Sequence, residues 1–110
     1  MVDLHSGEWS GFYEQHAGRH PQRMTLEFAD GVVRGDGVDE LSAFRLEGEY
    51  RVEPGGEVRV GWIKTYDRSH SILYLGALDG EGRIVGRWRI GRLAAGSFSL
   101  EPRNERTASG

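Results

Sequence analysis

Hydrophobic and polar positions alternate along most of the chain, most informatively between Val58 and Gly76. Successive strand residues point to opposite faces, so Val58, Val60, Trp62, Lys64 and Tyr66 form one row and Arg59, Gly61, Ile63 and Thr65 the other. A polar turn at Asp67-Arg68-Ser69 leads into a return strand. It carries His70, Ile72, Tyr74 and Gly76 on one face and Ser71, Leu73 and Leu75 on the other. The short turn gathers Lys64, Tyr66, His70 and Tyr74 near the end of this hairpin.

The same period of two recurs on either side. A first strand is predicted from Trp9 to Gln15, followed by a loop from His16 to Pro21 punctuated by Gly18 and the proline. Met24, Leu26 and Phe28 then alternate with Arg23, Thr25 and Glu27. Asp30-Gly31 supplies the positive φ angles of a type I′ turn, so this strand passes directly into another from Val32 to about Arg34. Gly35 to Glu40 reads as an acidic, glycine-rich loop, with Asp39 capping a short helical turn through Ser42. Phe44, Leu46, Gly48, Tyr50 and Val52 alternate with Arg45, Glu47, Glu49 and Arg51. Ile84, Gly86, Trp88 and Ile90 alternate with Arg83, Val85, Arg87 and Arg89. A turn from Gly91 to Gly96 then precedes a last strand at Phe98 and Leu100. Short strands joined by short turns predict an all-β fold, an eight-stranded antiparallel up-and-down β-barrel; a β-sandwich is the alternative that local pattern leaves open. Residues 1–102 are expected to form a single domain and 103–110 a disordered tail, the latter being polar and without pattern.

Composition narrows the function classes. The 110 residues fit one domain, and 37% hydrophobic with 28% charged residues is ordinary for a globular chain. No run of about 18 apolar residues is present to span a membrane as a helix. A net charge of −3 with both signs interspersed lacks the basic footprint that nucleic acid requires. With no cysteine and no basic-then-apolar start, a cytoplasmic location is expected. The 17 glycines against 3 prolines favour tight turns and sharply bent sheet over helices.

Gly7-x-Trp9 resembles the Gly-x-Trp signature of the calycin barrels, and the run from Trp62 to Ser71 is similar to the avidin and streptavidin pattern of Trp, three residues, Tyr, three residues, His-Ser. The resemblance implies a calycin, avidin-like barrel that holds a small molecule at its open end, often in a homo-oligomer. Carried across, Trp62 and Trp88 match tryptophans that flank biotin, and Ser71 matches a serine that touches its thioether end. Where the family places polar partners for the ureido group, this chain has Gly11, a position near Gly37, and Gly96; Leu75 stands for another flanking tryptophan.

The candidate ligand-binding residues are therefore Trp62, Lys64, Tyr66, His70, Ser71, Tyr74 and Trp88. A lysine in an apolar inward row must snorkel out, pair with a carboxylate such as Asp67, or meet an anionic ligand. At a barrel mouth it is expected to carry little packing. The competing reading makes these residues turn-end side chains that bond to one another, and makes Trp9, Trp62 and Trp88 simply core, with Arg87 or Arg89 stacked over Trp9. A His beside Lys and Tyr is competent for acid–base chemistry, but no nucleophile motif accompanies it, so a non-catalytic role is expected. No cofactor or metal is expected: His16 and His20 straddle Gly18 in a loop, and Asp36, Asp39 and Glu40 do not have the spacing of a calcium loop. The sequence thus points to a small-molecule-binding barrel whose ligand is unknown and is not biotin. The alternative is a protein-interaction or structural module of a larger protein or oligomer. A hollow interior between Trp62 and Trp88 favours the first, a self-filled interior with an exposed apolar patch the second.

Each buried urea partner lost costs a few kcal/mol. Titration calorimetry with biotin is accordingly expected to give no dissociation constant below about 1 μM, or roughly −8 kcal/mol.

Overall fold

A computed structural model describes residues 4–66 and 71–103. They form eight strands: β1 (Gly7–Gln15), β2 (Gly18–Ala29), β3 (Val32–Asp39), β4 (Ala43–Val52), β5 (Val58–Tyr66), β6 (Ser71–Leu78), β7 (Ile84–Ile90) and β8 (Ala94–Pro102). Each pairs antiparallel with its neighbour in sequence, and β1 closes on β8 from Trp9↔Pro102 to Tyr13↔Phe98. The fold is a closed up-and-down β-barrel, which removes the sandwich alternative. His70, the Asp67–Ser69 turn and residues 104–110 of the expected tail lie outside the described residues. Arg103, assigned to the tail, still donates its N–H to the Glu8 carbonyl at 2.8 Å.

Three sequence-based boundaries are corrected. β2 begins at Gly18, so Arg19, His20 and Pro21 are strand. Pro21 opposes only Phe12, and the β2–β3 ladder starts one residue later at Gln22↔Asp39, a place where a strand tolerates a missing N–H. The β1–β2 connection shrinks to His16-Ala17, which adopt φ of 51° and 62° as a two-residue hairpin turn of this hand demands. β3 runs on through Gly35, Asp36 and Gly37 to Asp39, so the supposed acidic loop is strand, with Asp36 outside and the Asp39 carboxylate inside. Asp39 does act as a cap, accepting the N–H groups of Leu41 and Ser42 at 2.8 and 3.3 Å, but over a bend rather than a helical turn. Finally, β8 starts at Ala94 rather than after Gly96. The Asp30-Gly31 turn is as expected, with φ of 51° and 81°.

The alternation of side chains along each strand decides what lies inside. Trp9, Tyr13, Met24, Leu26, Val33, Phe44, Leu46, Val58, Val60, Trp62, Tyr66, Ile72, Tyr74, Ile84, Trp88, Phe98 and Leu100 are all buried. At the end where β1 starts, Trp9 is covered by His5, whose carbonyl accepts its indole N–H at 2.8 Å, and by the edge of Phe28. Arg87 and Arg89 are exposed on the outer face and do not stack there, because odd positions of β7 point away from the barrel.

Large interior side chains are offset by inward glycines. Across one level the register reads Gly48↔Trp62↔Tyr74↔Trp88↔Gly96, two glycines flanking three aromatic residues. At Gly48 the backbone of β5 comes so near that a Cβ would sit 1.9 Å from the Gly61 carbonyl oxygen. The glycines at 11, 37 and 96 are in the same condition, a Cβ there meeting a neighbouring strand's carbonyl oxygen at 1.9, 2.1 and 2.2 Å. Their lack of side chains is what lets so few strands bend into a closed barrel.

Gly48→Ala is expected to destabilise the protein by at least about 2–3 kcal/mol in urea unfolding, since the clash is with backbone rather than a movable side chain. A change within ~0.5 kcal/mol counts against this close-approach role.

Candidate functional site

Of the polar residues in the hairpin highlighted by the sequence, Lys64, Tyr66 and Tyr74 stand together at one end of the barrel interior, and His70 lies outside the described residues. β5 turns Trp62, Lys64 and Tyr66 inward, and β6 does the same for Ile72 and Tyr74. Lys64 is fully buried. Its ammonium donates to the Asp39 carboxylate at 2.7 Å and to Gln22 Oε1 at 2.9 Å, and lies 3.4 Å from the Tyr74 hydroxyl. Those contacts use all three donors of an ammonium. Around it stand rings, the closest being Phe44 with its centroid at 4.2 Å, then Tyr13 at 5.0 Å, Tyr66 at 5.1 Å and Tyr74 at 5.4 Å. An ammonium inside such a ring of π faces gains further electrostatic stabilisation.

Among the described residues the carboxylate comes from Asp39; Asp67, the example the sequence offered, lies outside them. Asp39 ends β3, where the chain turns over the barrel mouth, and both of its oxygens are used. Oδ1 takes the backbone N–H groups of Leu41 and Ser42; Oδ2 takes Lys64 and the Tyr66 hydroxyl. Sequence reasoning weighed Asp39 as a cap and as part of a calcium loop but not as the partner of Lys64, and it missed Gln22, whose place in an even-numbered inward row with Met24 and Leu26 was the available signal.

Burial and pairing pull the ionisations in opposed directions. Burial lowers the Lys64 pKa, and the hydrogen bond and charge of Asp39 restore only part of the loss. Burial also works to raise Asp39, yet the bonds from Lys64, Tyr66 and the Leu41 N–H outweigh it and hold the carboxyl below its ordinary 3.8. The Tyr66 hydroxyl is pushed far up by burial and by the Asp39 carboxylate it serves, Tyr74 by burial, and Tyr13 by burial and by Asp39. At neutral pH the cluster is an ion pair among protonated phenols. Gln22 works against the rise at Tyr74, and among the described residues neither Gln22 Nε2 nor Trp62 Nε1 has a hydrogen-bond partner.

The remaining candidates are dispersed. Trp88 packs edge-on to Tyr13 and donates its indole N–H to the Glu14 carbonyl at 3.0 Å. Ser71 is on the outer surface, paired with Thr65 at 3.2 Å, because it follows the outward parity of Leu73 and Leu75. Between Trp62 and Trp88 stands Tyr74, stacked on Trp62 at 5.9 Å and 19°, with Phe98 edge-on at 4.8 Å. The space in which a flat ligand would lie is filled by these rings. Two concavities open to solvent: a notch of about 390 Å³ beside the His16-Ala17 turn, lined by Glu14, Arg87 and Ser97, and a trough along β1 to β5 whose lining mixes outward residues with Met24, Phe44, Leu46 and Tyr66 of the inner rows; Lys64 lines neither. Among the described residues no group of three or more His, Cys, Asp or Glu side chains is placed to hold a metal ion. His20 stacks on Tyr13 and bonds to Glu40 at 2.7 Å instead of joining His16.

No protein-family model, curated protein or solved structure matches the chain. The avidin-like resemblance accordingly rests on its motif residues alone. No helix among the described residues is long and apolar enough to cross a membrane, which says nothing about strands.

Lys64 carries far more than a mouth residue would, so truncating it strands a buried carboxylate. Lys64→Met is expected to cost about 3–5 kcal/mol, and the added Asp39→Asn to recover a large part, because removing both charges also removes both desolvation costs. The Asp39 contribution is present above the ordinary carboxylate pKa of 3.8 and lost as pH falls through its lowered folded value, so stability should fall on acidification. Urea unfolding between pH 7 and 2.5 should show this acid loss diminished in Asp39→Asn.

Proposed function

We propose that this barrel is a non-catalytic interaction module that works through its outer surface, one of the two roles its sequence allowed. The observation that carries the reading is the occupied interior. The chain supplies its own cation, Lys64, to its own aromatic and carboxylate cage, while Tyr74 and Phe98 fill the space beside Trp62. A binding chamber offers unused polar groups to an incoming molecule; here the ammonium has none to spare. Acid–base chemistry needs the reacting group within reach of a substrate, and Lys64 has no exposed surface.

The outer surface, by contrast, carries apolar area on adjacent strands: Ile63 of β5, Leu73, Leu75 and Ala77 of β6, and Val85 of β7. Ile63 is 43% exposed, Leu75 54% and Val85 36%. Side chains of this kind grouped on a sheet face are the usual mark of a contact surface. The small-molecule reading retains one observation, the two buried N–H donors at Trp62 Nε1 and Gln22 Nε2, which suit an acceptor oxygen.

Native mass spectrometry of freshly purified protein separates the two. The expected spectrum shows polypeptide without a retained small molecule. A stoichiometric co-purified compound that is lost in Trp62→Phe would move the function inside the barrel.

A further inference from the structure

The walls around Lys64 are held in place by contacts that do not involve Lys64. The Asp39 carboxylate is fixed by the N–H groups of Leu41 and Ser42 at 2.8 and 3.3 Å and by the Tyr66 hydroxyl. Phe44 stands perpendicular to Tyr66 at 6.1 Å, and Tyr13 packs on the His20 ring at 5.1 Å and edge-on to Trp88 at 6.3 Å. Tyr74 is clamped by Trp62 at 5.9 Å and Phe98 at 4.8 Å. The rings and the carboxylate, drawn from β1 and from β3 to β6, are thus supported independently of the cation they surround. Gln22 differs. Its buried carboxamide turns Oε1 to the ammonium at 2.9 Å and leaves Nε2 without a partner among the described residues. A buried N–H left unpaired is costly, so a cation in the cage is what makes this orientation worthwhile.

From these contacts we infer that this end of the barrel is a receptor for a primary alkylammonium ion, with Lys64 as the ligand it holds in cis. The inference goes beyond the surface-module reading and does not depend on it. Three acceptors, Asp39 Oδ2 at 2.7 Å, Gln22 Oε1 at 2.9 Å and the Tyr74 hydroxyl oxygen at 3.4 Å, match the three N–H bonds of a primary ammonium. A quaternary ammonium has no N–H to offer and would leave those buried oxygens unbonded. A guanidinium spreads its donors over a planar fork instead of directing them from one atom. The Phe44 ring at 4.2 Å and those of Tyr13, Tyr66 and Tyr74 behind it add attraction for positive charge. Cutting Lys64 back to Cβ removes Cγ, Cδ, Cε and Nζ, which together have the outline of n-propylammonium. The Asp39 carboxylate is then buried without its counter-charge, and a soluble cation of the right length can answer it.

Urea unfolding of Lys64→Ala with added n-propylammonium tests this, at pH 7 and at an ionic strength held constant with sodium chloride. Equilibrium unfolding and refolding admit the ion to a site that is closed in the folded chain. The variant is expected to bind it with a dissociation constant on the order of 1 mM, seen as a saturable rise in the urea midpoint. The wild type, whose site is filled, should respond no more than it does to sodium chloride. Tetramethylammonium and 1-propanol should likewise have no specific effect on the variant. In Lys64→Gly, which also lacks Cβ, the preferred ion should lengthen by one methylene to n-butylammonium. Adding Asp39→Asn to Lys64→Ala should weaken n-propylammonium binding by at least about ten-fold. Should Lys64→Ala not fold unaided, n-propylammonium alone among these additives is expected to restore the native circular dichroism on dilution from urea. The receptor is overturned if n-propylammonium improves neither stability nor refolding, or if wild type and variant respond alike. It is overturned equally by a tetramethylammonium effect of the same size, a chain-length preference that does not move in Lys64→Gly, or binding indifferent to Asp39→Asn. The surface-module reading fails on a different result, a compound retained inside the wild-type barrel.

Discussion

A buried ammonium sets the terms for one end of this barrel. Lys64 lies in a row that must face inward, because Val58, Val60, Trp62 and Tyr66 on the same parity are core. Once inside, its charge has to be answered in place, and the answer draws on separate strands: Asp39 from β3, Gln22 from β2, Tyr74 from β6 and the Phe44 ring from β4. Partners up to 42 positions away in the chain are thereby held to a common point. Isolated buried pairs are weak sources of net stability, but removing one member is costly, so the pair acts chiefly against wrong registers. A slip by one residue would put Lys64 outside and leave Asp39 buried without its cation.

The same end illustrates how a closed barrel can resemble a binding protein and yet keep its interior for itself. Aromatic rings around a cation, a carboxylate and an amide form a recognition site in chemical terms. The cation in this case is covalently attached. Ordering a lysine that is already part of a strand costs only side-chain freedom, whereas a free ligand also gives up translation and rotation. With Trp62, Tyr74 and Phe98 packed beside it, the inside of the barrel is a core with a charged pair embedded in it.

Because the strand period is two, the inner and outer faces answer to different constraints along one sequence. On β5 the even positions build the core and the cage, while Ile63 and Gly61 face out between acidic and basic neighbours. The rows Glu47, Ile63, Leu73, Arg89 and Glu49, Gly61, Leu75, Arg87 exist only as lateral neighbours in a sheet, since their members come from four strands. Closure also supplies the curvature that makes inward glycines necessary, and it therefore accounts for Gly11, Gly37 and Gly96 standing bare where a Cβ would strike a neighbouring carbonyl.

Strand number, the antiparallel up-and-down order, the Asp30-Gly31 turn and the inward parity of Trp62, Lys64, Tyr66 and Tyr74 were all legible in the alternation of side chains, because parity is a local property of extended backbone. The hairpin turn at His16-Ala17 was not: alanine has no tendency to positive φ and histidine only a modest one, so pairing of the flanking strands is what holds both there. Nor did glycine content distinguish a loop from the bent strand at Gly35 and Gly37, since glycine permits both and only the neighbouring strands decide. Asp39 as the partner of Lys64 lay beyond local reading for the same reason. The two are brought together through Gln22↔Asp39 and the closing of the barrel, and a contact of that separation is set by how the sheet curls, which no short stretch of sequence contains.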